Sequence, residues 1–261
     1  MLNRKFIIHI LGILLIVESV FLFLSALVSY YYNESDIKTF ILSGSVTFFV
    51  GLLFFLSTLK SKRVVNRRNG YIIVSLVWVV FSIFGCLPYY LGGYLQSFTD
   101  AFFETISGFT TTGITTVNDI ESLPHGILFW RSLTQWIGGM GIIVLSLAIL
   151  PFFNVGGLQL FSAEVTGITF EKIKPKLSDT AITLWTIYLS LTVLEIVMLK
   201  VAGMSTFDAV CHSFTTMSTG GFSTKNSNIA YFNSPQIEYT IIAFMFISGI
   251  NFSVLYYVLT F

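Results

Sequence analysis

The chain has 261 residues, of which 54% are hydrophobic and only 10% charged, with a mean hydropathy of +0.82 and a formal net charge of +1. Soluble domains carry about a quarter charged residues, so this balance excludes that class and places the chain among integral membrane proteins. The near-neutral charge, divided by topology, gives no basic field for nucleic acid.

The apolar residues come in blocks long enough to cross a bilayer, which takes about 20 helical residues. In chain order the predicted spans are 6–32, 37–59, 71–91, 127–153, 181–203 and 237–261. The first block is too long for a signal peptide and lacks its small-residue cleavage site. Lysine and arginine resist translocation and collect on the cytoplasmic side. With the N-terminus inside, Arg4, Lys5, Lys60, Lys62, Arg63, Arg67, Arg68, Lys172, Lys174 and Lys176 are cytoplasmic, leaving Lys38, Arg131, Lys200 and Lys225 of the fourteen at outer segments and span edges. Six crossings with both termini in the cytoplasm follow. Trp130, Trp136 and the tyrosines Tyr30, Tyr31 and Tyr32 suit the aromatic belts at the membrane interfaces.

Cysteine and histidine spacing removes several enzyme classes. Cys86 and Cys211 form no C-x-x-C pair, and His9, His125 and His212 are scattered, so no zinc site, redox motif or H-E-x-x-H pattern is present. The phosphate-loop spacing is also absent.

The informative feature is an internal repeat displaced by 108 residues (205 minus 97). "SFTDAFFETISGFTTTGITT" at 97–116 lies without gaps over "STFDAVCHSFTTMSTGGFST" at 205–224. Identical pairs are Ser97/Ser205, Asp100/Asp208, Ala101/Ala209, Thr111/Thr219, Gly113/Gly221 and Thr116/Thr224, and four more exchange serine with threonine. The flanking spans obey the same shift. The predicted units are an N-terminal two-span unit (1–69), a first repeat with its following cytoplasmic loop (70–178) and a second repeat (179–261).

Each repeat reads as span, short segment, glycine-threonine stretch, span. The segment 98–109 opens with Ser97-x-x-Asp100, a helix-start pattern, and Ser205-x-x-Asp208 repeats it. About 12 helical residues reach about 18 Å, so such a helix dips halfway into the membrane. The following residues return in extended conformation, which at that depth requires burial in protein or a water-filled cavity. Glycine permits backbone geometry closed to other residues, and threonine favours extended chain. Successive carbonyls aimed into a narrow path replace the water of a bare cation, helped by the negative helix ends. No Asp or Glu interrupts either stretch, which favours a weakly hydrated monovalent ion over calcium or magnesium. Potassium is the first choice.

"FFETISGFTTTGITTV", "FWRSLTQWIGGMGIIVLSLAILP", "FDAVCHSFTTMSTGGFST" and "SGINFSVLYY" together resemble the Trk/Ktr/HKT superfamily of potassium transporters, in particular its TrkH-type pore subunits. The two extra N-terminal spans favour that branch, and the run 130–143 is the most specific signature. The resemblance implies an all-α membrane protein with two span, half-helix, filter, span pore repeats after a two-helix N-terminal unit. It implies potassium uptake across a bacterial cytoplasmic (inner) membrane through backbone carbonyls, with no enzymatic activity. By motif the filter strands carry over to Thr111, Thr112, Gly113, Ile114 and Thr115, and to Thr219, Gly220, Gly221, Phe222 and Ser223, with Thr110 and Ser218 immediately before them. Potassium is the transported ion; no cofactor and no transition-metal site are expected. The implied partners are a second copy of the chain in a homodimer, membrane lipid, and a cytoplasmic nucleotide-binding regulatory ring meeting the loops 60–68 and 164–176.

Members of that superfamily carry four such units and two are present here. The chain is therefore expected to be part of a longer protein or a half-size subunit that pairs with itself, and two strands alone do not close a pore. Glu18 is ionisable within the first span, a functional candidate by position, although a partnered or protonated structural role is preferred. Glu195 and Lys200 are read as structural, Glu104 and Arg131 as a brace of the outer vestibule or an interfacial ion pair, and Gly138, Gly139 and Gly141 as sites of close helix approach. Two other readings are a non-conducting membrane scaffold and an intramembrane enzyme built on His212, Cys211 and Glu104.

Overall fold

The computed structural model describes residues 4–59, 67–141, 177–250 and 255. Among them all regular structure is helical. The helices are α1 (Arg4–Tyr31), α2 (Ile37–Ser57), α3 (Arg67–Gly85), α4 (Leu87–Leu91), α5 (Phe98–Phe109), α6 (His125–Gly139), α7 (Leu177–Val201), α8 (Thr206–Met217) and α9 (Pro235–Ser248), with a 3-10 turn at Asn228–Phe232 before α9. Among the described residues four helical stretches are long and apolar enough to cross a membrane: Arg4–Tyr31, Ile37–Ser57, Ile72–Leu91 and Ile182–Val201. The predicted spans 127–153 and 237–261 are helical over His125–Gly139 and Pro235–Ser248, and their remainders lie largely outside the described residues. So do most of the basic loop 60–68 and all of the segment 164–176.

The α1–α2 hairpin is held by close backbone approach as well as by side chains, His9 lying 3.0 Å from Thr58 Oγ1 and stacking on Phe55. A β-carbon on Gly12 would stand 2.7 Å from the Phe55 nitrogen, and one on Gly51 would stand 2.9 Å from the Gly12 carbonyl. Small residues let membrane helices approach in this way, where no water drives them together. Of the pair, α1 is the interior helix: 61% of its apolar window is buried, against 28% for α2. It packs on α3 and α6 as well as on α2.

The turn between α1 and α2 docks on the first turn of α6. Pro124 offers α6 no side-chain cap. Glu34 supplies one instead, accepting from the Gly126 N–H at 3.4 Å and lying 2.7 Å from His125 Nδ1, while Tyr32 stacks on the His125 ring at 4.0 Å. A carboxylate there also meets the positive end of the helix dipole.

The third predicted span is broken. Pro88 has no N–H, so α3 stops at Gly85 and α4 restarts after Cys86. The Gly85 carbonyl freed by the break accepts from the Trp130 indole N–H at 2.9 Å. This corrects the interfacial assignment of two tryptophans. Trp130 is wholly buried, and Trp136 is buried with its N–H on Thr192 Oγ1 at 3.1 Å, whereas Tyr30 and Tyr31 are exposed. An indole sits at a membrane surface for want of a partner inside; here the core supplies one.

Helix α6 is the hub. It packs against both short helices, α5 and α8, which in turn pack on α3 and α7.

Candidate functional site: two glycine-threonine strands on one helix

The short helices form where the sequence predicts. Ser97 caps α5 by accepting from the Thr99 N–H at 3.2 Å, and Ser205 caps α8 by accepting from the Asp208 N–H at 3.0 Å. Each has 12 residues.

Their C-terminal ends are alike bond for bond. In the first, Thr111 N–H donates to Gly108 O and Thr112 N–H to Ser107 O, both at 2.9 Å. In the second, Thr219 N–H donates to Thr216 O and Gly220 N–H to Thr215 O, again at 2.9 Å. This paired pattern is a Schellman end, which places the residue after the cap in the left-handed region, usually a glycine. Here it is a threonine in both copies, with φ of 53° at Thr111 and 56° at Thr219. Two residues on, Gly113 and Gly221 have φ of 78° and 80°. Left-handed and ordinary residues thus alternate over 111–114 and 219–222. A β-branched residue held at positive φ costs about 1–3 kcal/mol and marks a conformation over-determined by its surroundings.

The twelve residues predicted for the site fall on these two strands. Thr110 and Ser218 are the helix caps, Thr111 and Thr219 the turns after them, and 112–115 and 220–223 stretches without regular structure, in which the left-handed residues depart from the expected extended conformation. The strands meet at Gly113, where a β-carbon would overlap the Gly220 carbonyl oxygen. Two carbonyls of the strands accept hydrogen bonds from side chains. Ser107 Oγ donates to Ile114 O at 2.6 Å and Arg131 Nη1 to Ser223 O at 3.1 Å. Among the described residues, the carbonyls of Thr111, Thr112, Gly113, Thr219, Gly220, Gly221 and Phe222 accept no hydrogen bond. The side chains differ between copies: Ile114 is 57% exposed, while its counterpart Phe222 is 3% exposed and lies under the Arg131 guanidinium at 4.3 Å. A cavity of about 550 Å³ opens beside the second strand, lined by Thr215, Thr219, Gly221, Ile241 and Met245 among others.

Behind the strands stands α6. Arg131 Nε donates to Glu104 Oε1 at 2.8 Å, and both residues are buried. Glu104 in turn accepts from the Thr115 hydroxyl at 2.9 Å and the Thr116 N–H at 2.7 Å. The pair is therefore internal, at the backs of the strands, and not an exposed interfacial bridge. In the second copy the same task falls to Asp208, one turn earlier in its helix, which accepts from Thr224 Oγ1 at 2.6 Å. His212 lies 3.4 Å from the same hydroxyl. Among the described residues no group of three His, Cys, Asp or Glu side chains could hold a metal ion.

Gly138 and Gly139 do serve close approach, but toward the ends of the short helices. A β-carbon on Gly138 would overlap the Phe109 carbonyl, and one on Gly139 would stand 2.6 Å from Ser218 Cα and 2.8 Å from the Tyr188 hydroxyl. Sequence reasoning missed Gln135, whose Oε1 accepts from the Phe222 N–H at 3.1 Å and whose amide occupies the space a side chain on residue 220 would need. That is why the second strand carries Gly220 where the first carries Thr112. The legible signal was the spacing Arg131, Gln135, Gly138, Gly139, one face of a helix. The loops that follow the two strands are also tied together: Asn226 bonds the Ile120 N–H, Asp119 and Glu121 at 2.7–3.0 Å.

Helices long and apolar enough to cross a membrane, packed with two short helices that each end in a strand of carbonyls accepting no hydrogen bond, define an α-helical membrane protein. The family model described as TrkH, cation transport protein, matches residues 36–260. The Trk system potassium uptake protein TrkH of Escherichia coli (strain K12) is 44% identical over 246 residues, covering 94% of this chain and 51% of that protein. Its namesake in Halomonas elongata is 40% identical over 254 residues, covering 97% and 53%. The crystal structure of the potassium transporter TrkH from Vibrio parahaemolyticus superposes with a TM-score of 0.83 at 38% identity, covering 98% of this chain and 52% of that one. The chain belongs to the TrkH family of cation transport proteins. It spans about half the length of the curated relatives it matches.

Proposed function

We propose that the chain takes part in potassium uptake, and that the strands 110–115 and 218–223 are one side of its ion filter. The observation that carries this reading is the twofold recurrence of a Schellman end, a left-handed threonine and a left-handed glycine, with the strands in contact at Gly113 and Gly220. Recurrence across 108 residues of otherwise divergent sequence points to a demand on the backbone itself. Alternating backbone handedness turns successive carbonyls to one side, where they replace the water shell of potassium. The negative ends of α5 and α8 lie at the start of the strands and favour a cation there. The names of the relatives, all potassium uptake or transport proteins, supply the ion. Two strands cover only part of an ion, and the rest of the ring comes from further units, in a longer chain or in a second copy.

The remaining parts of the reading rest on the family resemblance and on charge. The excess of lysine and arginine in the alternate loops supports a cytoplasmic N-terminus in the inner membrane. Assembly as a homodimer, and control by a cytoplasmic nucleotide-binding ring meeting the loops 60–68 and 164–176, belong to the same proposal; lipid headgroups compete for those basic loops.

The test is uptake by the full-length protein. Gly113→Ser and Gly221→Ser are expected to reduce the preference for potassium over sodium, measured in proteoliposomes from equal amounts of folded protein and by growth of an uptake-deficient host at limiting potassium. Wild-type flux and selectivity in both variants would defeat the filter assignment.

A further inference from the structure

Helix α6 stands against the two strands, or the helix ends that feed them, at three successive levels. At the outer level Arg131 reaches Thr115 Oγ1 of the first strand at 3.2 Å and the Ser223 carbonyl of the second at 3.1 Å. One turn on, the Gln135 amide accepts from Phe222 N–H and fills the hollow at Gly220, and its Nε2 lies 3.9 Å from where a β-carbon of Gly113 would stand. One turn further, Gly138 and Gly139 meet Phe109 and Ser218, the helix ends that feed the two strands. Residues at i, i+4, i+7 and i+8 share a face, so a single rigid element sets both strands.

Among the described residues the arrangement occurs once. The shift that relates the repeats carries Arg131 to Tyr239 and Gln135 to Ala243 on α9, where Tyr239 is 73% exposed and neither residue can repeat these bonds. The second strand is held from the helix of the preceding repeat.

Electrostatics adds a constraint. A guanidinium close to a cation path repels the ion unless its charge is matched, and Glu104 matches it at 2.8 Å. Arg131 also draws the Ser223 carbonyl backwards, as Ser107 does that of Ile114. The run of free carbonyls then ends at Gly113 in one strand and at Phe222 in the other.

We infer that Arg131 and Gln135, with Glu104 as the counter-charge, are positioning residues that set the cation preference of both strands together. This rests on the filter reading above. None of the three is assigned contact with the ion; they act through the backbone of 113–115 and 220–223.

The experiment compares potassium uptake, with sodium as competitor, in proteoliposomes of the full-length protein bearing Gln135→Met, Arg131→Met, Glu104→Gln or the double change Glu104→Gln/Arg131→Met. Values are normalised to folded protein, and the thermal midpoint of each variant is recorded. Gln135→Met is expected to lower the potassium-to-sodium preference about three- to tenfold, the worth of one buried hydrogen bond. Either single change at the ion pair leaves a buried charge uncompensated and should lower the midpoint most; the double change should recover the midpoint toward wild type. Selectivity should stay low in the double variant, because the bonds to Thr115 and Ser223 are still missing. A purely structural role would give the opposite, selectivity returning with the midpoint. Wild-type selectivity in both Gln135→Met and the double variant, alongside a defective Gly113→Ser, overturns this inference and leaves the filter reading standing. An unaffected Gly113→Ser overturns both.

Discussion

The carbonyl oxygen of Gly220 occupies the position where Gly113 would carry a β-carbon. Its repeat counterpart Gly221 has open space around the same position, nothing lying within 4 Å. Equivalent glycines in the two repeats are thus required for different reasons, one for contact and left-handed backbone together, the other for backbone alone.

Gly113→Ala should consequently be the more damaging of the two alanine changes. At Gly221 an alanine meets only the left-handed penalty of about 1–2 kcal/mol, while at Gly113 it must also push the second strand aside. Competition of sodium against potassium uptake in matched proteoliposomes should rank wild type above Gly221→Ala and that above Gly113→Ala. Equal effects would mean that the strands do not touch.

Thr219→Gly removes a β-branched residue from left-handed backbone at an exposed position. The thermal midpoint in detergent is expected to rise, by a few tenths to about 1 kcal/mol of stability, since glycine is the usual residue at this helix end. A fall in the midpoint would show that the threonine side chain repays its strain.

In the α1–α2 hairpin, Gly12→Leu places a branched side chain against the backbone of Phe55 and Gly51. Overpacking of this kind costs about 1–3 kcal/mol. Yield of detergent-stable protein should drop, with cation preference per folded molecule unchanged, because the atoms a side chain at Gly12 would meet belong to α2 and not to either strand. A change in selectivity at normal yield would contradict that separation.

Asp36, in the turn ahead of α2, is buried with its Oδ2 accepting from Ser29 Oγ at 3.0 Å. Burial raises its carboxyl above the ordinary value, while the Ser29 hydrogen bond opposes the rise. The folded chain therefore holds this proton more tightly than the unfolded one. The resulting stability is complete below the unfolded pKa of about 3.9 and is lost as pH rises through the folded value. From about pH 4 to about pH 8 the midpoint of wild type should fall by more than that of Asp36→Asn, in which this group does not titrate. Parallel profiles would remove Asp36 from the account.

Much of this protein follows from local sequence. Apolar block length predicts helices that cross a membrane, and four are long and apolar enough. Ser97 and Ser205 announce the starts of α5 and α8 because a cap is a bond to a residue two or three positions away. The repeat is plain in an alignment of the chain with itself. Tertiary structure alone decided the rest. Thr111 and Thr219 take a conformation that statistics assign to glycine, because the paired bonds that close each short helix require a left-handed residue there. Trp130 leaves the interface because a proline 42 positions earlier (130 minus 88) breaks α3 and frees a carbonyl for it. Arg131 joins Ser223 across 92 residues, and Gln135 joins Phe222 across 87. Periodicity along one helix shows that Arg131, Gln135, Gly138 and Gly139 share a face; which surface that face meets depends on packing between distant segments, which no local pattern records.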